Sequence, residues 1–294
     1  MIKVIRKAIK NIRDFHEKQI QKSWFETRED GVMLGQKVTP METCGVYVPG
    51  GKAVYPSSVL MNIVPAHVAG VKNIIMTTPP GKDGKVTANT LVAAKEAGAT
   101  KVYKVGGAQA IAAMAFGTES IPKVDKIVGP GNIFVALAKK AVYGNVSIDS
   151  IAGPSEILVL ADETANPRYV AADLLSQAEH DEMASAILVT TSEELAHKVS
   201  DEIDGFLNQL SRKEIMEKSL DSFGYILVAS DMKEAIDTAN AIASEHMEIM
   251  TANPFDVMTR IKNAGAIFIG AYSCEPLGAV SYTHLRAHET RGNL

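Results

Sequence analysis

The sequence predicts an α/β protein built from two doubly wound, incomplete Rossmann-like domains with mostly parallel sheets. From Gly45 onward, short β-rich apolar runs alternate with helical segments, and the alternation occurs in two series that meet near Gly153. Glycine-rich turns, such as Gly106-Gly107 and Gly129-Pro130-Gly131, follow predicted strands and open predicted helices. Helices that alternate with strands cover both faces of a parallel sheet, so each series predicts one such domain.

Length and composition agree with this fold class and exclude several others. A chain of 294 residues is comfortable for two domains, and 46% apolar with 22% charged residues is ordinary for a globular protein. A net charge of −4 gives no electrostatic case for nucleic acid, and no apolar run approaches the roughly 20 residues of a membrane span. Cys44 and Cys274 do not make a disulfide framework, so we expect a cytoplasmic protein.

Residues 1–44 are predicted to form an N-terminal helix and a connecting segment that pack on the second domain. The helix is indicated by apolar residues at helical spacing, and it is expected to end near Trp24, before Glu29-Asp30-Gly31. Its apolar positions are Ile2, Ile5, Ile9 and Ile12.

Residues 45–152 form the first predicted α/β domain. Its predicted strands cover 45–48, 73–77, 101–105 and 126–128, and its predicted helices cover 59–68, 86–97, 108–115 and 132–143. Residues 153–278 form the second predicted α/β domain. Its predicted strands cover 156–160, 186–190, 225–228, 248–250 and 266–269, and its predicted helices cover 168–179, 193–210, 232–243 and 254–262. In both predicted domains, we expect ligands to bind at the carboxyl ends of the strands.

The first domain offers three candidate binding residues. Gln109 lies just after Gly106-Gly107, where free helix N–H groups favour an anion such as a pyrophosphate. The segment is not a complete dinucleotide fingerprint. Asn132 stands at a strand-to-helix junction, where helix capping and ligand contact are equally reasonable roles. Tyr47 closes a strand at the expected binding edge, with ordinary strand packing as its structural alternative.

Five candidate residues belong to the second domain. Ser155 lies in a turn between the two series and is not part of a nucleophile elbow. Gln177 and His180 are three residues apart, so on a helix they share a face and can bind one metal ion; the alternative is a solvated polar helix end. Glu245 and His246 can act as an acid/base pair, the alternative being a helix-terminal histidine beside an exposed glutamate.

Cys274 raises a rival hypothesis, because a thiolate can carry an aldehyde oxidation covalently. No Lys, Arg or His stands beside it to lower the pKa of the thiol. A small apolar packing residue is therefore the favoured interpretation.

Six separated motifs together resemble histidinol dehydrogenases in order and spacing over roughly residues 1–278. They are Tyr47-Val48-Pro49-Gly50-Gly51, the stretch 105–111, the stretch 123–132, Ala152-Gly153-Pro154-Ser155-Glu156, the stretch 174–180, and Glu245-His246. Any one of them alone is a weak signal, whereas six in register are specific.

The resemblance implies an NAD- and zinc-dependent dehydrogenase of histidine biosynthesis that oxidises L-histidinol to L-histidine in two hydride transfers, through a bound histidinaldehyde. It implies a homodimer. By motif, Tyr47, Gln109 and Asn132 contact NAD, and Gln177 and His180 bind zinc. Ser155, Gln177, His180 and His246 contact substrate. His246 is the base for the alcohol step, and Glu245 activates the water that hydrates the aldehyde.

The chain also departs from the family pattern. An aspartate that completes the zinc ligands normally follows the Glu275-Pro276-Leu277-Gly278 motif, where this chain has Ala279. The tail 279–294 shows no family resemblance and is expected to be foreign or disordered, although His284 and His288 have the spacing of helical zinc ligands. The expected function is therefore that of a histidinol dehydrogenase, and the alternative is that this chain is a catalytically inactive internal fragment that retains NAD binding.

Overall fold

The computed structural model describes residues 1–50, 56–151 and 153–278. The chain divides into two compact units, Met1–Ala152 and Gly153–Gly278. Each described unit contains one five-stranded sheet in which every neighbouring pair of strands is parallel, which confirms the predicted fold class. The predictions for the tail, including Ala279, His284 and His288, lie outside the described residues.

The first unit begins with a helix and a two-stranded hairpin, which precede the α/β alternation. Its elements are α1 (Ile2–His16), β1 (Trp24–Thr27), β2 (Met33–Gln36), β3 (Thr43–Tyr47), α2 (Pro56–Val68), β4 (Asn73–Thr77), α3 (Ala88–Ala97), β5 (Lys101–Tyr103), α4 (Gly107–Phe116), β6 (Lys126–Val128), α5 (Ile133–Val142) and β7 (Ser147–Ile148).

The first sheet has the strand order β5-β4-β3-β6-β7. The chain moves outward from β3 in one direction through β4 and β5, then returns to the other side of β3 with β6. One face of β3 buries Val46 in a cluster with residues of α1, α2 and α3, and the other face buries Tyr47 with residues of α4 and α5. The reversal between β3 and β6 is the topological switch point, where ligands of such sheets bind.

Helix α1 packs against α2 and α3 of the first unit, and its predicted packing on the second domain stays a prediction. Ile5, Ala8 and Ile12 are buried in the same cluster as Val46, because their helical spacing forms one apolar stripe that α2 and α3 cover. The Arg6 guanidinium also pairs with the carboxylate of Glu96 on α3, at 2.6 Å.

The same helix ends at His16, so the prediction that it reaches Trp24 was wrong. Residues 24–27 pair antiparallel with 33–36, and the turn between them is closed by the Gly31 N–H donating to the Arg28 carbonyl. The Asp30 carboxylate accepts from the Val32 N–H. Trp24 and Phe25 have strong β propensity, and the Asp-Gly pair supplies turn chemistry, which together outweigh helix continuation.

The second unit has a sheet in the order β10-β9-β8-β11-β12, again with a reversal beside its first strand. Its elements are β8 (Glu156–Ala161), α6 (Pro167–Ala178), β9 (Ser185–Thr190), α7 (Glu193–Leu207), α8 (Lys213–Phe223), β10 (Gly224–Val228), α9 (Met232–Ile242), β11 (His246–Met250), α10 (Pro254–Arg260) and β12 (Ala266–Ile269). Helix α8 was not predicted. None of the helices in the described part of the chain is long and apolar enough to cross a membrane.

Candidate active site

The backbone of β3 meets the loop after β6 at the switch point of the first sheet. Gly129 has φ +114°, and a Cβ built on it would lie 2.1 Å from the carbonyl oxygen of Tyr47. Both the positive φ and this contact require glycine. The end of β3 and the loop after β6 therefore lie too close together for any side chain at position 129.

Tyr47 also reaches the start of the helix that follows β5. Its hydroxyl oxygen accepts a hydrogen bond from the Gly107 N–H at 3.0 Å, and its side chain is buried. Gln109 lies in the first turn of α4 and is exposed. The hydroxyl and the helix N-terminus are thus joined at the carboxyl edge of the sheet.

Asn132 caps helix α5, so its structural role is observed directly. The side-chain Oδ1 accepts from the Val135 N–H at 3.2 Å, and the residue is exposed. Like Gln109, it follows the carboxyl end of a strand of the first sheet, and Tyr47 is the last residue of another strand of that sheet. Its contact with a ligand stays a prediction.

In the second unit, α6 places Gln177 against His246 at the start of β11. Both side chains are almost completely buried, with 2% exposure each, and Gln177 Oε1 lies 3.1 Å from His246 Nδ1. The alternative of a solvated glutamine at a polar helix end is therefore wrong. An amide oxygen only accepts hydrogen bonds, so the imidazole Nδ1–H is the donor in this contact.

His180 does not share this buried environment. Helix α6 ends at Ala178, so His180 lies in the following turn with an exposed side chain, and its N–H donates to the Gln177 carbonyl at 3.0 Å. The helical geometry assumed for the predicted zinc pair is therefore not formed. Over the described ranges, no three His, Cys, Asp or Glu side chains assemble into a group that could hold a metal ion. These residues by themselves do not complete a zinc site.

The carboxyl group of Glu275 faces the other nitrogen of the imidazole, at 3.8 Å from Oε1 to His246 Nε2. Burial, followed by the charges of Glu245 and Asp173, raises the pKa of Glu275 to about 7. In the sequence, Glu275 belongs to the Glu275-Pro276-Leu277-Gly278 motif and has no predicted role of its own. Its position in the Cys274-Glu275-Pro276 turn is the only sequence signal that marks it.

Two more acidic residues that sequence reasoning missed lie beside this group. Asp173 and Glu248 share a hydrogen bond between their carboxyl groups, and burial followed by the charge of Asp173 raises the pKa of Glu248 to about 10. The Glu275 N–H donates to Glu248 Oε1 at 2.8 Å. Asp173 precedes Gln177 by one turn of α6, and Glu248 follows His246 on the same face of β11. The Gln177–His246 contact and the Asp173–Glu248 hydrogen bond therefore lie next to each other between α6 and β11.

Glu245 is buried, with 5% exposure, so the alternative of an exposed glutamate beside a terminal histidine is wrong. Its N–H donates to Glu156 Oε2 at 3.2 Å. Glu156 directly follows Ser155, which is half-buried and whose carbonyl accepts from the Ser185 N–H at 3.0 Å. The start of β8 therefore lies beside the predicted acid/base pair.

The environment of Cys274 disfavours a nucleophilic thiolate. Burial raises the pKa of the thiol, and the charges of Asp173 and Glu248 raise it further. A reactive cysteine requires the opposite shift, produced by a nearby cation or a helix N-terminus.

Comparison with known proteins identifies one family. Residues 1–284 match the family model described as Histidinol dehydrogenase. The histidinol dehydrogenase of Bacillus subtilis is 60% identical over 278 residues, which are 95% of this chain and 65% of that protein. That of Halalkalibacterium halodurans is 58% identical over 278 residues, covering 95% of this chain and 66% of that protein. The chain thus spans slightly less than two thirds of the length of these curated relatives.

Solved structures extend the likeness to the fold. A crystal structure of histidinol dehydrogenase from Elizabethkingia anophelis has a TM-score of 0.94 at 40% identity, covering 99% of this chain and 68% of that one. An acetylating aldehyde dehydrogenase from Geobacillus thermoglucosidasius has a TM-score of 0.58 at 13% identity, covering 100% of this chain and 88% of that one. The second similarity concerns the fold alone.

Proposed function

Because the chain belongs to the histidinol dehydrogenase family, we propose that it catalyses the NAD-dependent oxidation of L-histidinol to L-histidine through histidinaldehyde. The observation that carries the proposal is the buried contact between Gln177 and His246, flanked by Glu275. It orients the imidazole among acidic groups, which is the arrangement an acid/base site needs.

His246 is the proposed base for the alcohol step. Since its Nδ1 carries the proton in the contact with Gln177, Nε2 has the lone pair that accepts the proton of a substrate hydroxyl. Glu245, adjacent in sequence and buried, is the proposed group that activates water for hydration of the aldehyde. We place the substrate contacts on Ser155, Gln177, His180 and His246.

The first unit is the proposed NAD-binding domain, and NAD, when bound, accepts the hydride. Tyr47 ends a strand, and Gln109 and Asn132 follow strands, at the carboxyl edge of one sheet around its switch point. The N-terminus of α4 supports this placement, because the N–H groups in the first turn of a helix favour an anion such as a pyrophosphate.

Zinc dependence remains part of the proposal on the ground of the family alone. Gln177 and His180 offer two of its donors, but the described residues bring no further ligands to them, so we derive no catalytic step through the metal. The homodimer and the cytoplasmic location implied by the family likewise stay predictions.

The proposal is tested by measuring histidinol-dependent NADH formation with and without added Zn²⁺. We expect His246→Ala to abolish this activity with little effect on NAD binding, because the base is lost while the first unit is unchanged. The matched control is His197→Ala, which removes an exposed histidine on α7.

Three outcomes separate the alternatives. Activity that survives His246→Ala would overturn the assigned base. NAD binding without any turnover would favour the inactive, NAD-binding alternative. Loss of turnover in Cys274→Ala, together with resistance to chelators, would favour a cysteine-dependent aldehyde dehydrogenase.

A further inference from the structure

Lys139 on α5 is a buried lysine that the proposed reaction does not use. Its side chain is 3% exposed and forms an ion pair with the carboxylate of Asp149. Its Nζ also donates to the Gly129 carbonyl at 3.1 Å. A lysine is rarely buried without such partners, because an unpaired ammonium pays a large desolvation cost.

Asp149 binds the same glycine from the other side. Its Oδ2 accepts from the Gly129 N–H at 2.7 Å, and its Oδ1 accepts from the Ser150 N–H at 2.7 Å. The N–H and the C=O of Gly129 are therefore both held by one ion pair. This closed arrangement links the end of β6 to α5 and to the segment that follows β7.

Gly129 is also the residue whose backbone packs against the carbonyl of Tyr47 at the switch point. The segment 129–132, here called the switch-point loop, runs from this contact to Asn132, which caps the helix that carries Lys139. One side chain pair thus fixes both ends of the loop: Gly129 directly, and Asn132 through α5.

We propose that Lys139 and Asp149 are positioning residues that hold the switch-point loop in the conformation that receives the dinucleotide. This inference rests on the proposed NAD site of the first unit. Lys139 acts through the loop and not as a phosphate ligand, because it is buried and its ammonium is directed at Asp149 and Gly129. Binding energy is preserved when a loop is already in its bound geometry.

The test compares Lys139→Met with Lys140→Met, which removes the next lysine on the same helix, an exposed one. Amide hydrogen exchange over residues 129–135, NAD affinity by calorimetry and the thermal midpoint are measured for both. We expect Lys139→Met to accelerate exchange in the loop and to weaken NAD binding by at least about tenfold, as removal of a supporting shell does at other sites. Lys140→Met should change neither.

The readouts distinguish the possible results. Unchanged exchange in the loop of Lys139→Met overturns the inference, whether or not NAD affinity falls, since affinity loss without loop opening indicates a direct ligand. A lower thermal midpoint with unchanged affinity also overturns it, because the pair would then be merely structural. If the unaltered protein binds no NAD, the proposed cofactor site fails, while exchange still decides whether the pair holds the loop.

Should Lys139→Met not fold, the double variant Lys139→Met/Asp149→Asn replaces it. The double variant removes both charges and leaves the asparagine Oδ1 to accept from the Gly129 N–H, so no unpaired buried charge remains. We expect it to fold and to show faster loop exchange than the unaltered protein. Exchange at the original rate would overturn the inference.

Discussion

Burial decides the chemistry of the individual acidic residues around His246. Glu248 has a pKa of about 10 and Glu275 a pKa of about 7, and in both cases desolvation is the largest cause. At neutral pH, one proton therefore stays on the hydrogen-bonded pair of carboxyl groups, Asp173 and Glu248. The singly protonated pair avoids two adjacent buried negative charges next to the imidazole of His246.

Glu248→Gln should make the stability of the protein less dependent on pH. The folded-state pKa of Glu248 is raised from 4.5 to about 10, so the unfolded chain releases a proton that the folded chain keeps. The free energy of unfolding contributed by this group is greatest below pH 4.5 and declines as the pH rises toward 10, by up to about 1.4 kcal/mol per unit. Gln keeps the neutral form at every pH and removes that decline.

Urea unfolding at several values between pH 5 and pH 9 measures this effect. The control is Glu163→Gln, at an exposed glutamate of the same unit. A slope in Glu248→Gln equal to that of the unaltered protein would contradict the assigned protonation of the pair.

Asn132 allows its capping and binding roles to be separated by two substitutions. Asn132→Ala should lower the free energy of unfolding by about 1 kcal/mol, because the Val135 N–H loses its acceptor. Asn132→Asp should keep the cap and the stability, yet weaken NAD binding by about tenfold or more, since a carboxylate repels the pyrophosphate and lacks the amide donors. Thermal unfolding and calorimetric titration measure the two effects. An Asp variant with unaltered affinity would leave Asn132 with the capping role alone.

At the level of elements, periodicity and turn chemistry predicted most strands but not every element. Strands 73–77 and 126–128 are observed with the predicted bounds. Helix α8 was missed because it buries only Met216 and Ser219, so its apolar stripe is short. Strand β7 has two residues, which is too few for a periodic signal.

The candidate site shows the same division between local and nonlocal information. Gln177 and His246 can be identified from the sequence because each belongs to a short motif of residues that bind metals or transfer protons. Asp173, Glu248 and Glu275 cannot, because their pKa values shift only when folding buries the three carboxyl groups near one another. Their pKa shifts arise from residues that are distant along the chain, which no local pattern reports.

The contact between β3 and the loop after β6 can be tested with two glycines of the same unit. Gly129→Ala should reduce the free energy of unfolding by about 2–5 kcal/mol, combining an unfavourable positive φ with a clash against the Tyr47 carbonyl. Gly144→Ala is the matched control, because Gly144 has φ +100° but no atom within 4 Å of a built Cβ. It should cost only about 1–2 kcal/mol. Equal losses in denaturant unfolding would show that close approach at Gly129 contributes nothing.

At the scale of the whole molecule, each described hydrophobic cluster draws its members from one unit. The clusters containing Val46 and Tyr47 belong to the first unit, and those containing Leu158, Leu174 and Leu175 belong to the second. Core substitutions should therefore act first on the unit that contains them.

Ile12→Ala tests this expectation together with the placement of α1. Ile12 is fully buried among residues of α2 and α3, so its truncation should destabilise the first unit by about 2–5 kcal/mol. Val4→Ala, at a residue of the same helix that is 69% exposed, should stay within about 0.5 kcal/mol of the unaltered protein. Hydrogen exchange resolved by peptide is the measurement: amides of β3 and β4 should lose protection in Ile12→Ala, whereas those of β8 and β11 keep theirs. The opposite pattern, with protection lost in β8 and β11 alone, would contradict the placement of α1 in the first unit. Its contacts with α2 and α3 make the N-terminal helix a support for the sheet that carries Tyr47.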